Sequence, residues 1–455
     1  MEDLKRIFAG LLSAALCIGL APRAGAVEVV STIRVGLHYG SGALGEAVVE
    51  NVDGAGFSVG TYNGRSFSAT ATTASTKLRV TASGESVTVT DANTGAAVYT
   101  GGGNVALSPN GVQFSLKSAN YCGDAVFSAS GSQLTAMNYV SLEDYVKGVL
   151  PYEMTPSWHS EALKAQAVCA RSYALGSINK HQSRYGFDVC DGTDCQVYQG
   201  TGRATSNSNS AVDATRGEYL THKGELATGF FFSSDGGATE DAVNVWGNEV
   251  GYLKGVPDPY EDLDNATNGR WTKTLTGTEI ANKLRAAGYS IGTVSNVAIT
   301  KRTPMDNVNE VTVTDTAGKK VTIRRQACRT VFSVNSIRYS INGQSGGSGA
   351  SSGTSSGTSQ TQQPAQPQTD VYITGNSALG PMPRFQVGAM AAVGEALQTI
   401  LGASCVAATP SFTFAGTGWG HNVGMSQYGA KGMAEQGFDY RSILNYYFTD
   451  IQITK

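Results

Sequence analysis

The sequence predicts an α+β protein, mainly antiparallel strands with one helical segment that carries the chemistry. Three observations point there. Residues 27–135 alternate polar and apolar side chains, as in Ser86-Val87-Thr88-Val89-Thr90, with turns at Asp53-Gly54, Asn63-Gly64 and Asn110-Gly111. A period of two broken by such turns makes hairpins. Leu163, Ala167, Ala170, Ala174 and Ile178 then recur at steps of three and four, the stripe of one buried helix. Beyond that helix the pattern returns to short strands.

Taken in order, residues 1–26 read as a signal peptide. Lys5 and Arg6 precede an apolar run from Ile7 to Leu20, and Ala24-Gly25-Ala26 supplies the small-x-small cleavage pattern. The protein is therefore expected to be exported, to the cell wall or the extracellular space; an uncleaved run would instead hold it at the membrane. Residues 27–135 form the β-rich N-terminal region and 136–342 the core of the second region. Ser141-x-x-Asp144 reads as a helix N-terminal capping box, and Glu161 belongs in the first turn of the next helix. Strands are expected at 228–232, 295–300, 310–314 and 321–325, and a short helix over 276–288. Residues 343–370 are almost entirely Gly, Ser, Thr, Gln and Pro, a linker that cannot build a core. A small inserted segment, 371–409, has one expected helix near 386–401. Residues 410–455 are too short for an independent core, so they are read as the closing part of a discontinuous domain that the linker interrupts.

Charged residues make up only 15% of the chain and the net charge is −3, which gives no basic footprint for nucleic acid. Past the signal region six cysteines remain, an even number in a compartment that permits oxidation.

The densest chemistry lies between Glu143 and Arg171. Glu153 sits between Pro151 and Pro156, beside Tyr152, Met154 and Trp158. An apolar, turn-bound setting disfavours the charged carboxylate and can keep it protonated near neutral pH, as a general acid requires.

Four stretches resemble the sporulation stage II protein D and amidase-enhancer family of bacterial cell-wall proteins. They are Tyr145 through Met154 (YVKGVLPYEM), Trp158 through Tyr173 with its EALKAQAVCAR run, Phe232-Ser233-Ser234-Asp235-Gly236-Gly237 followed by Trp246, and Gly418 through Ala430 (GWGHNVGMSQYGA). The resemblance implies a lytic transglycosylase acting on peptidoglycan glycan strands, or a non-catalytic enhancer that binds glycan and serves a cell-wall amidase. In the enzyme, the carboxyl at Glu153 protonates the glycosidic oxygen. It then assists the muramyl C6 hydroxyl in attacking its own anomeric carbon, which leaves a 1,6-anhydro end.

The same resemblance places Lys164, Gln166, Arg171, Ser234, His421 and Gln427 at the substrate. Lys164 and Arg171 can equally be ordinary cations of a solvated helix face, and His421 beside Trp419 a hydrogen-bonded structural residue. Asn422 stands where the family commonly has glycine, a mild departure because Asn tolerates the left-handed region. Asp188, Asp191 and Asp235 are the other carboxylates that folding can bring near Glu153. Trp246 and Trp271 read as core packing before sugar platforms. No cofactor is required, but the resemblance includes a structural zinc near Cys190 and Cys195. Asp194 stands where a histidine is expected, and His181 lies upstream. Cys190 and Cys195 can alternatively close a local disulfide; either arrangement braces the loop before Gln196-Val197-Tyr198.

Overall fold

Residues 32–141 build two sheets whose inward side chains share one core, Val35, Phe57 and Phe127 meeting Val49, Val80 and Val89. The structure is a computed structural model that describes residues 29–267, 269–342 and 410–455. The first sheet runs Val189–Cys190, Thr32–His38, Gln133–Ser141, Asp124–Ser130, Asn104–Pro109, Phe57–Asn63, Ser66–Thr73. The second runs Ala119–Cys122, Gln113–Leu116, Glu46–Asn51, Lys77–Ser83, Ser86–Asp91, Ala97–Gly102. The expected alternation is present in Ser86–Asp91, where Val87 and Val89 are buried and their neighbours are not. The strand Gln133–Ser141 crosses the 135/136 boundary drawn from the sequence.

Thr32–His38 departs from simple alternation because both of its faces are covered. Val189–Cys190 pairs with it in parallel, Val35 opposite Val189. On the covered side Asp188 accepts from Arg34 at Nη2 (2.6 Å) and Nε (3.2 Å) and from Arg65 at Nη1 (2.8 Å) and Nη2 (3.1 Å). Burial opposes the charge on Asp188, but these two guanidiniums win and hold its pKa below the ordinary value. Gly36 is required here, since a Cβ would lie 2.3 Å from the Phe187 ring.

Helix α1 (Leu142–Glu153) starts as expected: Ser141 Oγ accepts from the Asp144 N–H at 3.1 Å and donates to its carboxylate at 2.7 Å. Pro151 lies in its last turn, and the backbone is extended at Met154. Helix α2 (Ser160–Gly176) carries the apolar stripe, with Leu163, Ala167, Ala170 and Ala174 fully buried. Ile178 lies just past its end. The small alanines let α1 and the helices Ser206–Ala214, Gln427–Glu435 and Tyr440–Tyr447 pack around it. Burying a side chain such as Leu163 stabilises by about 1.5–3 kcal/mol.

A second core holds Leu275, Leu284, Val311, Phe332 and Phe414. Its helix, Gly277–Ala286, has the Thr276–Glu279 capping box and matches the sequence reading. The expected strands appear as Val294–Arg302, Val308–Asp315 and Lys320–Arg324. Of 228–232 only Phe231–Phe232 is strand. Ser411–Thr417 lies between Arg270–Thr276 and Tyr339–Ile341 in one sheet, and Ile451–Thr454 pairs with Tyr219–His222. The C-terminal residues thus complete sheets begun far earlier in the chain. The signal region, the linker, the inserted segment and the helix expected at 386–401 lie outside the described residues.

Candidate active site

Glu153 ends α1, and its side chain is held from two directions. The Val197 N–H donates to its Oε1 at 2.9 Å, and the Gln427 carboxamide, on the first residue of the helix Gln427–Glu435, lies where it favours the charged form. Burial comes first among the influences on this carboxyl and raises its pKa; the two donors favour the charged form and offset burial only in part. The second oxygen can therefore carry a proton at a higher pH than an ordinary glutamate allows. Gln427 Nε2 also donates to Gln166 Oε1 at 3.5 Å. Gln166 is fully buried and its Nε2 meets no acceptor, a spare donor one amide removed from the acid. Glu153, Gln166 and Gln427 thus come together from three separate stretches.

Val197 owes its position to the loop before it. His181 Nε2, Cys190 Sγ, Cys195 Sγ and an Asp194 carboxylate oxygen all lie within 4.8 Å of one another. Cys195 Sγ is 3.4 Å from His181 Nε2, which is 3.2 Å from Asp194 Oδ2. The disulfide alternative is not formed: both thiols are free, two corners of a four-donor cluster. Two sulfurs, an imidazole nitrogen and a carboxylate oxygen at these separations fit a four-coordinate zinc, whose bonds run about 2.0–2.3 Å. Lys180 Nζ, 3.2 Å from Asp194 Oδ2, adds a positive charge beside a donor set rich in negative ones.

Several residues expected at the substrate have other tasks. Arg171 is fully buried; its Nε and Nη2 grip Glu143 at 2.9 and 2.7 Å, and its Nη1 donates to the Glu218 carbonyl at 2.8 Å. It ties α2 to α1, and no face is left for a sugar. Lys164 pairs with Glu161 at 2.6 Å and lies over the Tyr440 ring, and no described contact joins it to Glu153. Ser234 is fully buried, its backbone paired in both directions with Trp419.

His421 does not orient Glu153. Its ring packs among Phe230, Phe232 and Trp246, and its Nδ1 accepts from the Val423 N–H at 3.1 Å. Burial, then the nearby Arg329 charge, push its pKa down to about 4, with the Phe231 backbone opposing, so the ring is neutral and shapes its turn. Asn422 is left-handed at φ 65°, and its Nδ2 donates to the Asp235 carbonyl at 2.8 Å.

Trp246 and Trp271 are partly buried and pack against the two cores, in line with the packing role expected of them. Trp419, which nothing in its sequence setting separates from them, is 42% exposed. Among the other carboxylates, Asp188 is taken up by its arginines. Asp235 is fully buried, and burial followed by the charges of Asp258 and Glu261 raises its pKa. Asp191 lines a groove.

The chain is similar to known proteins over most of its length. Residues 130–222, which include Glu153 and the four-donor loop, match the family model described as stage II sporulation protein. An uncharacterised protein of Brachyspira hyodysenteriae (strain ATCC 49526 / WA1) is 30% identical over 340 residues, 75% of this chain and 74% of the relative. The amidase enhancer of Bacillus subtilis (strain 168) is 32% identical over 68% of this chain, but the match spans only 40% of that longer protein. Stage II sporulation protein D of the same organism is 27% identical over 70% of this chain and 75% of its own length. With its motifs, its fold and these relatives taken together, the chain belongs to the stage II sporulation protein D and amidase-enhancer family.

Proposed function

We propose that the protein is an exported lytic transglycosylase that cleaves peptidoglycan glycan strands during cell-wall remodelling, as in sporulation. The observation that carries this reading is the Glu153 carboxyl, half-buried, raised in pKa and held by Val197 and Gln427. Protonated, it donates to the glycosidic oxygen. Once ionised, its bonds from Val197 and Gln427 steady the charge while it takes the proton of the muramyl C6 hydroxyl that attacks the anomeric carbon. Hydrolysis by the common route needs two carboxylates across the bond, whereas internal attack works with one acid. The structural commitments of Asp188 and Asp235 support the one-acid route and leave Asp191, which lines a groove, as the carboxylate whose replacement by Asn should spare activity if that route holds. His181, Cys190, Asp194 and Cys195 would hold a zinc ion whose part, with all four positions filled by protein, is to fix the loop bearing Val197.

Purified protein incubated with peptide-free glycan strands should release anhydromuramyl products, one water lighter than hydrolytic ones by mass spectrometry. Glu153→Gln should abolish the product and keep strand binding. Equal product from both proteins would remove the enzyme reading. The second reading, a glycan-binding enhancer that serves a cell-wall amidase, is favoured by the likeness to the B. subtilis amidase enhancer. It predicts binding with no product, and faster amidase turnover when the two are mixed.

A further inference from the structure

A groove of about 400 Å³ is lined among others by His38, Lys117, Ser118, Asp191, Gln199 and Tyr152, the residue before the acid. We propose that this groove, one wall of which is the N-terminal β region, is a binding subsite for an uncharged N-acetylated sugar of the strand whose scissile bond lies at Glu153. The inference rests on the glycan reading above and names where the strand continues.

Position is the first support. Tyr152 immediately precedes Glu153, and Gln199 lies two residues beyond Val197, whose N–H holds the acid. The Tyr152 hydroxyl donates to the Gln199 carbonyl at 3.2 Å, so the two segments that fix the acid are also joined at the groove wall. The groove therefore shares its wall with the two segments that carry and hold the acid.

Chemistry is the second. Lys117 contributes one positive charge and Asp191 one carboxyl, while Asn120, Gln199, Ser118 and the tyrosine hydroxyls add uncharged donors and acceptors. Burial, then the Lys117 charge, hold the His38 imidazole below its ordinary pKa, so it faces the groove neutral. A phosphate-rich ligand would want several cations and an apolar ligand fewer polar groups. A sugar with hydroxyl and acetamido substituents, stacked against a tyrosine edge, fits the mixture, and the volume lies within the usual range for small-ligand sites.

Strain is the third. Leu116 and Ala119 pair across a two-residue hairpin loop, Lys117-Ser118, with φ at 50° and 69°. Such a loop with both residues left-handed is the turn for which Asn-Gly is the low-energy choice. Side chains kept where they are conformationally costly point to use of those side chains.

The test replaces the loop with its preferred residues, Lys117→Asn with Ser118→Gly, and separately makes Asn120→Ala. The loop variant should melt no lower than wild type, which keeps a folding defect out of the interpretation. Peptide-free glycan strands should bind each variant about tenfold more weakly, the effect of one or two lost hydrogen bonds, measured in a Glu153→Gln background. KM of the cleaving enzyme should rise with little change in kcat. Unchanged binding and KM in both variants overturn the subsite, as does weakening seen only with peptide-bearing strands. Wild type that binds strands but releases no product, with the variants binding less, removes the transglycosylase reading and leaves the subsite standing.

Discussion

Replacing Arg171 with methionine separates a structural cation from a substrate-binding one. The guanidinium is fully enclosed and makes two bonds to Glu143, whose side chain is only 13% exposed and which also accepts from the Gly217 N–H at 3.1 Å. Methionine keeps most of the volume but leaves Glu143 as a nearly buried charge without its partner and the Glu218 carbonyl without a donor. Breaking a buried pair from one side costs about 3–5 kcal/mol, a large part of the ~5–15 kcal/mol by which a domain is stable. With an m-value of about 3 kcal/mol/M, the urea midpoint should fall by roughly 1–1.7 M. Adding Glu143→Gln removes the stranded charge and keeps the acceptor for Gly217, so the double variant should recover about 1–3 kcal/mol. Urea unfolding followed by tryptophan fluorescence at pH 7 measures all three proteins, and strand binding is measured on the folded fraction. An Arg171→Met protein with an unshifted midpoint and lost glycan binding would refute this reasoning and return Arg171 to the substrate.

Gly36→Ala should destabilise by about 1–3 kcal/mol through overpacking, its Cβ reaching 2.3 Å from Phe187, and Phe187→Leu in the same chain should recover part of the loss in thermal melts. Protein purified with zinc should carry one equivalent by elemental analysis; a chelator or Cys195→Ser should lower both metal content and Tm, and an unchanged Tm would count against a bracing role. Gln427→Met removes a donor that favours ionised Glu153, so the carboxyl pKa must rise above its already raised value and the alkaline limb of the pH–rate profile must move to higher pH. For stability, a raised carboxyl favours folding while protonated and loses that contribution as pH climbs from its unfolded to its folded value, so in the variant the decline should continue to higher pH and end lower in denaturation measured across pH.

Local features were legible in the chain because their causes are local. Ser141 and Asp144 are three residues apart, as are Thr276 and Glu279, and both pairs cap helices as their spacing requires. Glu153 was legible from its prolines and apolar neighbours, and Gln166 and Gln427 from the motif. Arg171 was not, because a cation seven residues from Lys164 looks like a solvated face until the helices packed around α2 enclose it. Asp188 was not either: its partners lie 154 and 123 residues away. The donor holding Glu153 is a backbone N–H, present at nearly every residue, so nothing in the letters distinguishes Val197. His421 went to an aromatic box because Phe230, Phe232 and Trp246 gather only when the two distant segments meet.

The strand Ser411–Thr417 is central in its sheet, flanked by residues made long before it. The N-terminal sheets form without residues 411–427, whereas the smaller core is finished, and Gln427 brought towards Glu153, only when those residues join segments far earlier in the chain. Insertions or deletions between Asn342 and Pro410 should therefore act on how quickly Ser411–Thr417 reaches its two partner strands, because pairings distant in sequence are the slow ones to form.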